Sequence, residues 1–108
     1  VFHANGRYYL LDWKSNHLGA AIRHYGPAAL ESEMQRSLYV LQYHIYTLAL
    51  HLYLKARLPG YRYDRDFGGV FYLFIRGIEP TAGNDCGVFF DRPEKRLIEA
   101  LEKVLLPE

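Results

Sequence analysis

Hydrophobic and polar positions change their period several times along this chain, and each change marks a new element. Residues 1–3 and 8–14 read as the arms of a β-hairpin around Asn5-Gly6, a dipeptide suited to the left-handed dihedrals of a type I′ turn. In that register Ala4 faces Arg7 and Val1 faces Leu10. Along the second arm Tyr8, Leu10, Asp12 and Lys14 share one face, and Tyr9, Leu11 and Trp13 share the other. Both faces are largely apolar, which predicts a centrally buried strand. Residues 16–26 read as a loop that could move, with Gly19 and Gly26-Pro27 as breakers.

From residue 28 to 57 the period becomes helical, with Met34, Leu38, Leu41, Ile45, Leu48 and Leu52 spaced alternately four and three apart as the expected core stripe. A second stripe, Gln35, Tyr39, Gln42, Tyr46 and Tyr53, lies about 100° around the helix and is polar and aromatic. Ser32 with Gln35 suggests a capping box near the start, and Pro59-Gly60 ends the helix. A polar connector over 61–67 leads to the unbroken apolar run 69–77, expected to be a strand buried on both faces. Residues 78–87 read as a loop and 88–90 as a short strand. Asp91, Pro93 and Glu94 then start a helix that runs toward Leu105, with Leu97, Leu101, Val104 and Leu105 on its apolar side. The order strand, strand, long helix, strand, helix indicates a mixed α/β domain without repeats.

Composition narrows the function classes. At 108 residues the chain is one small domain or part of one, and its net charge of +1 supplies no bulk attraction to nucleic acid. Any DNA contact must be local. Cys86 is the only cysteine, which removes a disulfide framework, a cysteine-rich zinc site and a cysteine-ligated iron–sulfur cluster from this chain. A reducing, intracellular setting is expected. No apolar run approaches the roughly 20 residues that cross a bilayer, and no signal-peptide pattern opens the chain. The first residue is Val1, already in a strand, so the chain is expected to be a fragment, residues 1–108 forming a single partial domain.

Asp12 and Lys14 are the first candidates for chemistry. Residues two apart on a strand point to one face within about 7 Å, which suits a carboxylate and an amine acting on one phosphate. An isolated Asp-x-Lys is most often a solvated ion pair. Here it ends an apolar strand before a glycine-containing loop, where magnesium could be held jointly with substrate phosphate and the lysine could stabilise developing charge. One carboxylate alone is a poor magnesium site. The hairpin register places the position opposite Asp12 two residues before Val1. Gln42 and Tyr46, one helical turn apart, could both reach a sheet edge or a nucleic-acid backbone, although their spacing alone favours a solvated glutamine and a packing tyrosine. The five histidines lack zinc spacing and read as surface or packing residues. Cys86 and Arg76 have bland readings too, as an incidental loop thiol and a solvent-facing strand end.

Three blocks carry a family resemblance: Gly6-Arg7-Tyr8-Tyr9-Leu10-Leu11-Asp12-Trp13-Lys14-Ser15-Asn16, Leu41-Gln42-Tyr43-His44-Ile45-Tyr46-Thr47-Leu48-Ala49-Leu50, and Phe67-Gly68-Gly69-Val70-Phe71-Tyr72-Leu73-Phe74-Ile75-Arg76-Gly77. In this order they closely resemble the C-terminal nuclease domain of the RecB family, the beta subunit of bacterial exodeoxyribonuclease V. The resemblance implies a truncated restriction-endonuclease-like, PD-(D/E)xK core, a mixed sheet flanked by helices, with magnesium-dependent hydrolysis of DNA. It implies Asp12 as a metal ligand, Lys14 as the catalytic lysine, the Trp13 backbone carbonyl near the metal, and Gln42 and Tyr46 as a Gln-x-x-x-Tyr motif supporting the active site and DNA contacts.

The family's other metal-binding Asp sits in an Ile-Asp-Leu-Val-Phe strand of which Val1 and Phe2 remain. That Asp would fall at the position the hairpin count left open, and a further metal-ligating His lies farther upstream. A fragment without them is expected to be inactive or nearly so. The resemblance further implies a bacterial cytoplasmic helicase-nuclease acting in double-strand break repair and recombination, with ATP used in the helicase portion, RecC- and RecD-type subunits, and RecA as a possible partner. Two alternatives accompany it: a non-catalytic docking module for a recombinase such as RecA, and a stand-alone nuclease of the same superfamily.

Overall fold

A computed structural model describes residues 1–78 and 86–106. Most of the expected 78–87 loop lies outside the described residues. The elements are β1 (Phe2–Ala4), β2 (Arg7–Lys14), α1 (Pro27–Arg36), α2 (Tyr39–Arg57), the single turn α3 (Tyr63–Asp66), β3 (Phe67–Phe74), β4 (Val88–Asp91) and α4 (Lys95–Leu105). The fold is α/β, with one mixed sheet in the order β1-β2-β3-β4.

The hairpin forms as its turn residues require. Asn5 and Gly6 take φ of 52° and 75°, and Ala4 pairs with Arg7. β2 and β3 then pair in parallel from Tyr9 opposite Gly69 to Lys14 opposite Phe74, so both strands end together. An extra residue, Gly68, interrupts the register where Tyr8 meets Phe67. There the Tyr9 ring lies against Gly68 and the Phe90 ring against Gly69, whose φ is 138°, so neither position has room for a Cβ. β4 closes the other side of β3 antiparallel.

Among the described residues, helices pack only one face of this sheet. Val70, Tyr72 and Phe74 are buried beneath Tyr43, Leu48, Leu50 and Leu54 of α2, with Leu30 and Met34 of α1 completing the core. The opposite face carries an aromatic row, Phe2 on Tyr9 at 5.0 Å and Phe71 on Phe90 at 4.8 Å, and leaves Trp13 exposed. β2 is therefore central in the sheet but only half-buried, whereas β3 is buried on both faces from Phe67 to Val70 and beyond that fully buried only on its helix-facing side, with Phe71 and Leu73 half-buried.

The expected single helix over 28–57 is two helices. α1 starts at Pro27, whose fixed φ suits a first helical position, not at a Ser32 box. It stops at Ser37, and Leu38 adopts the left-handed conformation at φ 60°. That break resets the helical phase. Leu38, Leu41 and Ile45, expected in the core, are exposed, while Tyr43, Thr47, Leu50, His51 and Leu54 form most of the buried side of α2. Met34 and Leu48 alone of the expected stripe are fully buried.

Two further readings change. The 61–67 connector is not simply polar, because Tyr63 is buried and its hydroxyl donates to the Pro93 carbonyl at 2.5 Å. α4 buries Ile98 instead of the stripe that begins at Leu97. Leu97, Val104 and Leu105 stay exposed, with Leu101 half-buried. The loop after β2 is pinned: the Tyr25 hydroxyl accepts from the Leu18 N–H at 3.1 Å, and its ring is buried against Gly77.

Leu38 occupies the position after a helix end where glycine is usual, and it is 66% exposed, so its side chain contributes little packing to offset its backbone strain. Leu38→Gly is expected to stabilise the protein by about 0.5–1 kcal/mol, read as a higher denaturant midpoint at unchanged slope. Thr47 is fully buried, and its hydroxyl has no partner among the described residues. Thr47→Val keeps the shape and removes the unsatisfied group, so chemical denaturation should show stability equal or up to about 1 kcal/mol higher.

Candidate active site

The parallel ends of β2 and β3 bring the two candidate charges to the helix-packed face. On β2, Asp12 stands opposite Tyr72 and Lys14 opposite Phe74. The Lys14 ammonium lies 3.3 Å from the Asp12 carboxylate, and the two side chains are 17% and 32% exposed. They are accessible without being free in solvent. β1 pairs with β2 only as far as Phe2 opposite Tyr9, so beside Asp12 the only strand neighbour among the described residues is β3.

Aromatic rings position the lysine. Its ammonium sits 4.3 Å from the centroid of Tyr39 and 5.4 Å from that of Tyr72, within reach of cation–π attraction. Those two rings pack on each other at 5.6 Å. The Tyr72 hydroxyl donates to Gln42 Oε1 at 2.6 Å, so the amide of Gln42 is turned into the same site. Burial, and next the neighbouring Asp12 charge, push the Tyr72 phenol well above its ordinary range, which keeps it a hydrogen-bond donor. Tyr46, one turn beyond Gln42 on α2, is 46% exposed and faces the inner side of β2 beside Leu10.

A polar relay anchors this arrangement from behind. Tyr39 donates its hydroxyl to Asn16 Oδ1 at 3.2 Å, and Asn16 Nδ2 donates to Glu33 at 2.5 Å. Glu33 is 5% exposed and also receives Arg36 and the Ser37 hydroxyl, at 2.7 and 3.0 Å. Burial alone would raise its pKa, but the bonds from Asn16, Arg36 and Ser37 outweigh it and hold the carboxyl below its usual 4.5. The Arg76 guanidinium, read from sequence as solvent-facing, donates to the Ser15 carbonyl at 2.6 Å and so holds the residue after Lys14.

Of the candidate residues, Asp12, Lys14, Gln42 and Tyr46 converge on one face. Trp13 does not join them through its side chain, which is exposed on the opposite face, so any role it has at this site belongs to its backbone. Tyr72, Asn16 and Glu33 were missed by sequence reasoning, and Tyr39 was seen only as a member of the polar-aromatic stripe with Gln42 and Tyr46. Their available signals were slight: an asparagine two residues past the lysine, a tyrosine in the inward phase of β3, and a lone acid among buried helix positions. Among the described residues no three His, Cys, Asp or Glu side chains converge as metal donors. Asp12 supplies one carboxylate. Since magnesium is commonly held by one or two carboxylates together with substrate phosphate, this donor set fits as part of such a site.

No protein-family model matches the chain. It is 55% identical over 106 residues to the RecBCD enzyme subunit RecB of Haemophilus influenzae, covering 96% of the chain. It is 45% identical over 104 residues to that of Escherichia coli, and 42% over 106 residues to that of Buchnera aphidicola from Schizaphis graminum. The chain spans 8–9% of the length of these relatives.

The depressed Glu33 carboxyl sets the direction of a pH effect. Its folded-state pKa lies below the unfolded value, so its stabilisation is complete above the ordinary carboxylate range and is lost as pH falls through the folded value. Thermal melts between pH 7 and pH 3 should show a steeper acid loss for the wild type than for Glu33→Gln. Parallel acid profiles for the two would remove Glu33 from the account.

Proposed function

We propose that this chain, RecB-like over almost its whole length, is the catalytic part of a magnesium-dependent DNA nuclease with a restriction-endonuclease-like, PD-(D/E)xK core. The observation that carries the reading is the Asp12–Lys14 pair at the joint end of two parallel strands, faced by Gln42 and Tyr46 from α2, in a chain with these relatives. Ligand sites commonly form at the carboxyl ends of parallel strands.

Asp12 and the Trp13 backbone carbonyl would hold the metal, together with a second carboxylate on the strand position opposite Asp12. When bound, magnesium polarises the phosphate and activates water. Lys14, steered by Asp12 and by the rings of Tyr39 and Tyr72, meets the negative charge that grows on the attacked phosphate. Gln42 accepts from Tyr72 through its oxygen, which turns its amide N–H groups toward a phosphate oxygen. Tyr46 flanks the same approach and contacts the strand. In the longer protein, ATP-driven unwinding alongside RecC- and RecD-type subunits would deliver single strands to this face. The setting is double-strand break repair in the bacterial cytoplasm.

A second reading has one observation in its favour. An apolar groove of about 500 Å³ between α2 and α4, lined by Leu41, His44, Leu97, Leu101 and Val104, suits docking of a recombinase such as RecA. The two roles are separable, because that groove does not include Asp12 or Lys14.

Lys14→Ala and Asp12→Ala in the full-length protein are each expected to reduce magnesium-dependent cleavage of linear DNA at least about a hundred-fold. DNA unwinding should persist, and chelation should abolish cleavage in the wild type. Full nuclease activity in Lys14→Ala would overturn the assignment.

A further inference from the structure

Three neighbours of two kinds hold the Lys14 ammonium: the Asp12 carboxylate, and the rings of Tyr39 and Tyr72. On the nuclease reading Asp12 also serves the metal, which leaves the rings as the support that belongs to the lysine alone. A lysine side chain is long and flexible, so that support decides where its charge rests. The two rings are not equally secure. Tyr72 lies within β3, is 1% exposed and is tied to Gln42. Tyr39 is the first residue of α2, directly after the left-handed Leu38, and that helix start has no side-chain cap.

The Tyr39 ring rests on Tyr72 and Phe74, at 5.6 and 6.5 Å, and its hydroxyl fixes it from the other end. Both bonds of the chain that begins there run one way, from the phenol to the Asn16 carbonyl oxygen and from the Asn16 amide to Glu33. The last acceptor is a buried anion on α1. Its remaining capacity is filled by Arg36, which donates to both oxygens at 2.7 to 2.9 Å, and by the Ser37 hydroxyl at 3.0 Å. Every partner of Glu33 is a donor, which a carboxylate satisfies and an amide cannot. Hydrogen bonds aligned toward an anion polarise one another. A phenol that donates into such a chain gains negative charge on its oxygen and ring, and its face then attracts an ammonium more strongly.

We propose that Asn16 and Glu33 are positioning residues for phosphodiester cleavage, acting on Lys14 through the ring of Tyr39. This rests on the nuclease reading above and adds to it a helix residue whose contribution is its charge. Because the relay governs where the ammonium stands and makes no contact with DNA, its loss falls on kcat and leaves KM in place.

The test uses the full-length protein in its complex, with cleavage of linear DNA in magnesium. Tyr39→Leu, which removes the ring, should lower kcat about ten-fold, and Asn16→Leu and Tyr39→Phe, which cut the chain and keep the ring, about three-fold, each with KM within about two-fold of the wild type. Tyr39→Phe combined with Asn16→Leu should be no slower than either alone, since both break one chain. Placed in a Lys14→Ala background, Tyr39→Leu should cost nothing further; a full ten-fold loss there would show that Tyr39 acts apart from the lysine and overturn the proposal. In chelator, hydrogen exchange over residues 38–45 should be faster in Asn16→Leu than in the wild type, and unchanged exchange would equally overturn it. Glu33→Gln should match Asn16→Leu in kcat. Should it melt far below the wild type, Asn16→Leu decides the matter, because it leaves Arg36 and Ser37 on Glu33. Wild-type kcat in Asn16→Leu refutes the relay and leaves the nuclease reading intact, whereas absence of magnesium-dependent cleavage in the wild type refutes that reading and the relay with it.

Discussion

The parallel pairing of β2 with β3 is the constraint on which the rest of this structure depends. Parallel neighbours cannot be joined by a tight turn, so the chain between Lys14 and Phe67 has to cross over the sheet. That crossover is α1, the break at Ser37 and Leu38, α2 and α3. It lays α2 across the inner face and brings the carboxyl ends of both strands to one place. Asp12, Lys14, Tyr72 and Gln42 meet as a consequence of this topology.

A buried carboxylate then sets the local order. Glu33 would be costly in the interior without partners, and its partners come from three segments: Asn16 of the loop, Arg36 of α1, and Ser37 at the helix break. Satisfying it ties the loop after β2 to the turn between helices, and through Asn16 to Tyr39, whose ring lies by Lys14. A left-handed Leu38 is the strained element accommodated by this network. The same break turns Leu41 and Ile45 outward, so one local bend decides both how the site is braced and which surface of α2 is left apolar.

Much was legible without coordinates. Asn5-Gly6 specified the hairpin and its register, because few other residues tolerate two consecutive positive φ angles. The continuous apolar run of β3, the pairing of Asp12 with Lys14 on one face, and the one-turn spacing of Gln42 and Tyr46 follow from strand and helix periods. The helical phase after Ser37 was not legible. An apolar repeat carried from Met34 through Ile45 looks the same whether or not a left-handed residue intervenes, and Leu38 has no local preference for that conformation. α4 misled for a related reason: its apolar residues span more than the side that meets the core, and only packing shows that Ile98 is the buried one.

What the sequence by itself determined, then, was the set of elements with strong local codes and the grouping of the candidate residues: a carboxylate and an amine on one strand face, an amide and a phenol on one helix face. These depend on intervals of two to four residues. Only the tertiary structure decided that Tyr39 and Tyr72 cradle the lysine and that Glu33 is buried and satisfied. Apart from Arg36 and Ser37 on Glu33, which lie three and four residues away, those contacts join residues far apart in the chain, 17 for Asn16 and Glu33 and 61 for Arg76 and Ser15. No local period encodes them, because they arise only when the crossover folds α2 onto the sheet.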